Sequence, residues 1–177
     1  GVRSHSYFTR SNVIFQLTML GTDGNPVELH TVDGGLGTFT DLFTDPKLLF
    51  ESVDRTVESL EKKAEGVYTQ PGEHVVVLDP KITGLLAHEA IGHTTEADLV
   101  RGGSIAGPNF GKRVASEIVN LVDFANEAFG ETCPVPVYID DEGSLAVDAP
   151  LITDGILTSF MHNRDSAEEL GFEPTGN

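Results

Sequence analysis

A helix-initiation signal in this sequence leads into an apolar segment that carries three polar side chains. Asp79-Pro80 predicts a helix start, because Asp is a favoured N-cap and Pro is tolerated in the first turn. The residues that follow are mostly apolar, which predicts a buried helix. His88, Glu89 and His93 interrupt them, and burying such side chains without partners is costly. A metal ion is one partner for them, and a polar cluster without metal is an equally weighted alternative.

The spacing of the two histidines places a geometric condition on this helix. In a regular α-helix a five-residue step advances about 500°, so the rings of His88 and His93 would diverge by about 140°. A single π-type turn would return both rings to one side. Gly92 is well placed to permit that distortion, since it has no Cβ. We therefore predict a π-type turn, with imidazole nitrogens close enough to share an ion.

Position along the motif suggests a role for each side chain if a metal is bound. His88 and His93 would be neutral imidazole ligands. Glu89 would be the general base that takes a proton from metal-activated water. A catalytic zinc site normally has a third protein ligand. Glu96 is a candidate surrogate and Asp98 is less well placed, although either could lie outside the coordination sphere.

Composition and charge exclude several partners. The 28 acidic residues exceed the 11 basic ones and give a net charge of −17. This charge repels nucleic-acid backbones and anionic lipid, so we predict neither nucleic acid nor membrane as a partner. No apolar run is long enough to cross a bilayer. The single Cys133 excludes an internal disulfide and fits a reducing, cytoplasmic compartment, and we interpret it as a small buried hydrophobe.

Apolar periodicity predicts an α+β fold, a largely antiparallel β-sheet packed with helices. Residues 12–20 and 27–32 read as paired strands, and residues 74–78 read as a buried strand directly before the metal-motif helix. Asp45-Pro46 predicts another helix start. A core-facing stripe follows it, formed by Leu49, Val53, Val57, Leu60 and Ala64. We divide the chain into residues 1–70, a strand pair plus amphipathic helix, and residues 71–177, the metal-motif core.

The remaining segments give weaker signals. The glycines of residues 34–37 predict a loop, and residues 114–124 fit a helix and a strand equally well. Residues 135–139 predict a strand that enters a turn at residues 140–143. Asp154-Gly155 between two apolar segments predicts a β-hairpin. Residues 166–170 predict a short helical turn.

Several of these segments together resemble the TldD/PmbA metallopeptidase family, which also carries the label of a modulator of DNA gyrase. The quoted segments are HVVVLDP at residues 74–80, HEAIGHTTEAD at 88–98, IDDEG at 139–143, LITDGIL at 151–157 and HNRDSA at 162–167. In that family H-E-x-x-x-H is the metal signature, and it distinguishes the active TldD type. The net charge of −17 gives no support to the gyrase label.

The resemblance implies a zinc-dependent peptidase acting on unfolded or short peptides, with His88 and His93 as zinc ligands and Glu89 as base. It implies homo- or hetero-oligomers, often with a homologous PmbA/TldE-like subunit that lacks the motif. The family's third ligand is a downstream Cys in a glycine-rich segment, and Cys133 does not occupy that position. We therefore expect a central fragment that by itself binds zinc weakly and is inactive. A non-catalytic assembly module that pairs with such a subunit is the alternative.

Overall fold

The computed structural model describes residues 3–176 and contains two compact units. One unit is Tyr7–His74, and the other combines residues 3–6 with residues 75–176. Each combines helices with antiparallel strands, which confirms the predicted α+β class. No helix within residues 3–176 has the length and apolar character that crossing a membrane requires.

A long two-stranded ribbon forms the sheet of the Tyr7–His74 unit. β1 (Arg10–Leu20) pairs antiparallel with β2 (Pro26–Leu36) along its whole length, as predicted for this strand pair. Half-buried and exposed side chains alternate along both strands, because one face of the ribbon is covered and the other meets solvent. The predicted loop at residues 34–37 is wrong for Gly34 and Gly35, which still pair with β1.

Two short helices and one long helix complete this unit. They are α1 (Phe39–Leu42), a 3-10 turn at Pro46–Leu49 and α2 (Phe50–Ala64). The Asp45 side chain accepts a hydrogen bond from the Lys47 amide, which confirms the helix start predicted there. α2 packs on both strands of the ribbon.

The buried stripe of α2 differs in part from the predicted one. Leu60 and Ala64 are buried as expected, but Val57 is exposed and the neighbouring Thr56 is buried. The reason is polar: the Thr56 hydroxyl lies 2.8 Å from the hydroxyl of Thr31 on β2 and also donates to a carbonyl one turn earlier in α2. These hydrogen bonds compensate the burial of Thr56, and Val57 is turned towards solvent.

The second unit contains the metal-motif helix, which is followed along the chain by short elements. Its helical segments are α3 (Pro80–Ala87), a π-turn (His88–Gly92), 3-10 turns at His93–Thr95 and Gly107–Asn109, α4 (Ala97–Arg101) and α5 (Arg164–Leu170). Its strands are β3 (Leu121–Asp123), β4 (Glu127–Ala128), β5 (Glu131–Thr132), β6 (Ala149–Thr153) and β7 (Ile156–Leu157). The order β3-β6-β7 forms an antiparallel sheet, and β4 pairs with β5. α5 confirms the helical turn predicted at residues 166–170.

The core of this unit lies between the sheet and the metal-motif segment. It consists of Ala97, Ala106, Ile152, Leu157 and Phe160. The predicted hairpin between β6 and β7 is confirmed, and both turn residues, Asp154 and Gly155, have positive φ. A Cβ at Gly155 would lie 2.4 Å from the carbonyl oxygen of Ala115, so glycine is required there.

The predicted buried strand before the metal-motif helix is wrong. Residues 75–78 form no strand, and the side chains of Val75 and Val77 are almost fully exposed. A strand needs a hydrogen-bonded neighbour, and none pairs with this segment in the part of the chain that is described. The apolar sequence identified β propensity correctly, but propensity does not supply a partner.

Two other predictions are also wrong, because the segments lack a packing or strand partner among the described residues. The metal-motif helix is not buried, since Leu85 and Leu86 are each 54% exposed. Residues 135–139 do not form a strand, because only Ile139 makes a bridge, to Leu145 across the confirmed turn at residues 140–143. Of residues 114–124, which fitted both templates, only β3 is regular structure.

Candidate metal centre

The candidate site is carried by one continuous helical segment. The carboxylate of Asp79 accepts a hydrogen bond from the Ile82 amide at 2.8 Å and so caps the segment, as the sequence predicted. Pro80 occupies the first turn, where its missing N–H costs nothing. The chain stays helical from α3 through His93, so all three polar side chains of the motif project from a single rigid element.

A π-turn at His88–Gly92 brings the two histidines together. The backbone N–H of His93 donates to the carbonyl of His88, five residues earlier, instead of four. The ring centroids of His88 and His93 are 4.6 Å apart, with the ring planes inclined at 69°. The predicted π-type turn is confirmed, and the imidazoles lie on one side of the helix.

Threonine hydroxyls satisfy the carbonyl groups that the irregular turn displaces from the regular ladder. The Thr95 hydroxyl lies 2.8 Å from the carbonyl oxygen of Ile91 and 2.9 Å from that of Gly92. The Thr94 hydroxyl lies 3.0 Å from the same Ile91 oxygen. Thr95 is buried, so its hydroxyl is a fixed part of the turn. These hydroxyls, which the sequence analysis did not single out, stabilise the geometry of the site.

Gly92 has a smaller role than the sequence suggested. Its backbone angles are ordinary helical ones, with φ at −50°. A Cβ placed there would lie 3.7 Å from the nearest atom, the carbonyl oxygen of Ala87, which is an ordinary contact distance. The π-turn therefore does not depend on the absence of a side chain at this position.

His88, Glu89 and His93 form a donor set that fits a metal ion. Each offers one ligand atom, and these atoms lie within 4.8 Å of one another. Ligand atoms in a tetrahedral zinc site are about 3.3 Å apart, since zinc–nitrogen bonds are about 2.0–2.1 Å long. Two imidazoles and a carboxylate are ligands that zinc and other transition metals accept. All three side chains are exposed, so a substrate could reach them.

Glu96 contacts a histidine of the motif and is not part of that donor set. Its carboxylate lies 2.6 Å from Nδ1 of His93. This contact leaves Nε2 of His93 as the nitrogen for a metal, and Nε2 is 4.0 Å from the carboxylate of Glu89. A carboxylate bound to the far nitrogen of a ligand histidine fixes the orientation of the ring. The structure thus supports an orienting role for Glu96 and gives no support to its use as a substitute ligand.

Cys133 lies apart from the donor set. It is half-buried beside the β4–β5 ribbon, where its sulfur is 3.9 Å from the carbonyl oxygen of Phe124. The sequence interpretation was a small buried hydrophobe, and the structure shows a residue that is only partly buried.

A cleft of about 650 Å³ adjoins the two histidines. One wall is the metal-motif segment, and another is the segment before α5, which includes Met161 and His162. Two backbone hydrogen bonds hold these walls together: the Ala97 amide donates to the Met161 carbonyl at 2.9 Å, and the Met161 amide donates to the Thr95 carbonyl at 3.0 Å. The cleft can therefore hold an extended ligand next to the motif.

His162 is a feature of this cleft to which the sequence analysis assigned no role. Its side chain is buried and stacks on Phe172, with ring centroids 4.7 Å apart. Burial lowers the pKa of His162 below its usual value, which favours the neutral imidazole. The available sequence signal was its position directly before Asn163, the N-cap of α5.

Comparison with known proteins places the motif in a family. A family profile described as the PmbA/TldA metallopeptidase C-terminal domain matches residues 71–177. A metalloprotease of Methanothermobacter thermautotrophicus is 34% identical over 170 residues, which cover 94% of this chain and 36% of the relative. A zinc metalloprotease TldD homolog of Saccharolobus solfataricus is 34% identical over 142 residues, covering 80% of this chain and 30% of the relative. The chain thus spans about a third of the length of these relatives.

Solved structures share the fold at low sequence identity. A Bacteroides thetaiotaomicron protein, named as a candidate modulator of DNA gyrase, matches with a TM-score of 0.74 and 16% identity over 99% of this chain and 38% of its own. TldE from Thermococcus kodakarensis matches with a TM-score of 0.62 and 20% identity over 94% of this chain and 36% of its own. The profile match covers more than half of the chain, and the chain therefore belongs to the PmbA/TldD metallopeptidase family.

Proposed function

We propose that the full-length protein containing this chain is a zinc-dependent peptidase that cleaves short or unfolded peptides. The convergence of His88, Glu89 and His93 through the π-turn is the observation that carries the proposal. The choice of zinc rests on this donor set and on the name of the Saccharolobus solfataricus relative. In this proposal His88 and His93 hold the metal, and Glu89 is the general base.

The side chains divide the chemistry between them. A zinc ion bound here would polarise the peptide carbonyl and lower the pKa of a water molecule. Glu89 accepts the proton of the attacking water and delivers it to the leaving nitrogen, a task that needs an accessible carboxylate. The Glu89 side chain is 61% exposed, so it meets that requirement. Glu96 keeps His93 turned so that Nε2 stays available.

We propose that the third protein ligand lies outside this chain. Within residues 3–176, the group of donor atoms close enough for one ion contains Glu89 and the two histidines alone. If Glu89 is the base, two protein ligands remain, whereas a catalytic zinc normally has three. Elemental analysis of the dialysed 177-residue chain should accordingly show little zinc and a peptide-cleavage assay no activity. Stoichiometric zinc with cleavage would place the third ligand within the chain.

A related subunit is the proposed protein partner. The fold is shared with TldE, and the family includes such subunits, so we propose homo- or hetero-oligomers built from this fold. We also propose a cytoplasmic location, because a single thiol and no disulfide suit a reducing compartment. Mass measurement of the purified full-length protein, alone and with such a subunit, tests the oligomer.

The decisive experiment separates base from ligand in the full-length protein. Glu89→Gln should keep zinc but lower kcat by about 10²–10⁴-fold, because the proton acceptor is lost while both imidazoles remain. His88→Ala should lose both zinc and cleavage. Glu58→Gln, on the exposed face of α2, is the matched control and should behave as wild type.

The other outcomes of this experiment would change the role proposed for Glu89 or the function proposed for the protein. Loss of zinc in Glu89→Gln would make Glu89 a ligand, and full turnover would remove it from the mechanism. Bound zinc without cleavage of any peptide by the wild-type protein would favour the alternative, a non-catalytic assembly module.

A further inference from the structure

The charged side chains that line the cleft all have the same sign. Glu96, Asp98 and Asp123 contribute to its walls, and no Lys or Arg is among the described lining residues. Acidic side chains are abundant in this chain, so their presence alone would identify no ligand. The wall of the cleft also includes His162, whose buried imidazole has a nitrogen without a hydrogen-bond partner among the described residues.

The Ser166 hydroxyl has two partners around His162. Its oxygen lies 3.2 Å from the carbonyl oxygen of Asn163 and 3.2 Å from Nδ1 of His162. A hydroxyl has one hydrogen, and we assign it to the Asn163 carbonyl, which can only accept, so that the Ser166 oxygen accepts from Nδ1 of His162. In a neutral imidazole the other nitrogen, Nε2, then carries the lone pair.

That lone pair has no partner among the described residues. Nε2 of His162 is buried and makes no hydrogen bond within residues 3–176. The His162 residue is only 2% exposed, yet it forms part of the cleft wall. Leaving a buried acceptor unsatisfied is unfavourable, and a hydrogen-bond donor brought by a ligand would relieve that cost.

We propose that this cleft receives a positively charged ammonium group of the peptide substrate, either its free amino terminus or a lysine side chain. The inference rests on the proposed function, since it names the substrate class of the same site. The acidic walls attract the charge, and Nε2 of His162 accepts one N–H of the ammonium group, which has three donors and no acceptor.

An organic cation fits this cleft better than a second metal ion. In the described part of the chain, the acidic groups of the cleft do not gather with His162 into a set of donor atoms close enough for one ion. Acceptors spread along a cleft suit a donor group attached to a longer molecule, because different walls contact different parts of it.

Peptide binding to the full-length protein, stripped of metal to prevent turnover, tests this proposal. The probe is the peptide Ala-Leu-Lys-Leu-Ala, measured by calorimetry beside its N-acetyl form, its norleucine form and the doubly modified form. Loss of the recognised ammonium group should weaken binding about tenfold, the value of one charge-assisted hydrogen bond. N-acetylation identifies the terminus as the group recognised, and norleucine identifies the side chain.

Three variants test which side chains cause the tenfold discrimination between peptides that have the recognised ammonium group and peptides that lack it. Asp98→Asn, at an exposed cleft position, should reduce the tenfold discrimination to about threefold by removing one charge. His162→Phe retains an aromatic ring beside Phe172 but no lone pair, and it should reduce the discrimination as well. Glu168→Gln removes the same charge from an exposed site on α5 that is not part of the cleft lining, and should leave the discrimination unchanged.

The binding measurement separates this proposal from the proposed function. Equal binding of all four peptides within about twofold, or no measurable binding of any, would overturn the ammonium site. Cleavage by the metal-loaded protein would still support the peptidase in that case. Selective binding without cleavage after zinc is restored would keep the ammonium site and reject the peptidase.

Discussion

The two longest helical segments of the chain use their side chains in opposite ways. α2 is regular, and its buried stripe, which ends with Leu60 and Ala64, packs against the ribbon. The metal-motif segment exposes apolar residues such as Leu86, and its hydrogen-bond ladder is interrupted by the π-turn. We infer that α2 contributes chiefly to stability, whereas the metal-motif segment holds side chains in a fixed arrangement.

The largest expected effect is on the stability contributed by α2. Leu60→Ala should lower the free energy of unfolding by about 2–5 kcal/mol, because a buried leucine is replaced by a cavity. Leu86→Ala, a matched change at a site that is 54% exposed, should cost within about 0.5 kcal/mol. Urea unfolding followed by circular dichroism measures both. Equal effects of the two substitutions would contradict the comparison.

Replacing one buried threonine in each segment separates stability from site geometry. Thr95→Val should cost about 1–3 kcal/mol by leaving the Gly92 carbonyl of the π-turn without its hydroxyl partner, and should also weaken zinc binding by the full-length protein. Thr56→Val in α2 should cost a similar free energy of unfolding and leave zinc affinity unchanged. Competition with a chromogenic chelator reports the affinity. Equal affinities in the two variants would show that the Thr95 hydroxyl does not maintain the site.

His162 should add a pH-dependent contribution to stability. Because burial lowers its pKa below 6.5 in the folded chain, the unfolded chain binds more protons once the pH falls below about 6.5. The free energy of unfolding should therefore fall as the pH decreases through that value, until the lower folded pKa is reached. Urea midpoints from pH 8 to 5 should show a shallower dependence for His162→Phe than for wild type. Parallel curves would mean that His162 titrates normally.

The smallest expected effect is at Gly92. Gly92→Ala should change the free energy of unfolding by at most about 1 kcal/mol, in the stabilising direction, because alanine favours helix and its Cβ meets no close atom. Zinc affinity of the full-length protein should stay within about twofold of wild type. A large loss of affinity would show that the turn needs glycine after all.

Local signals in the sequence were sufficient for much of the fold. The caps at Asp45 and Asp79, the Asp154-Gly155 hairpin and the π-turn all depend on interactions within a few residues. The strand prediction for this part of the chain, residues 75–78, failed because a strand depends on a distant partner that its own sequence cannot specify. The burial of Thr56 was missed for a similar reason, since its hydrogen-bond partner Thr31 lies on another element.

In the candidate site, too, the features that depend on neighbouring residues were predicted and those that depend on distant residues were not. The sequence grouped His88, Glu89 and His93 because one short helical segment carries all three. It left the position of Glu96 open, and the contact with His93 gives it an orienting position. His162 could not be placed beside the motif, because only tertiary structure brings its segment to the cleft.

The bridge between Glu96 and Met161 has a consequence for the order in which the site matures. The motif is local, so a ribosome-bound chain that ends soon after Thr95 already contains both histidines and can form their turn. The opposite wall is synthesised much later, and its closure is a long-range contact of the kind that forms slowly. A newly made chain therefore has both imidazoles in place before it has a cleft. The cleft forms only after Met161 has been synthesised and pairs with Glu96.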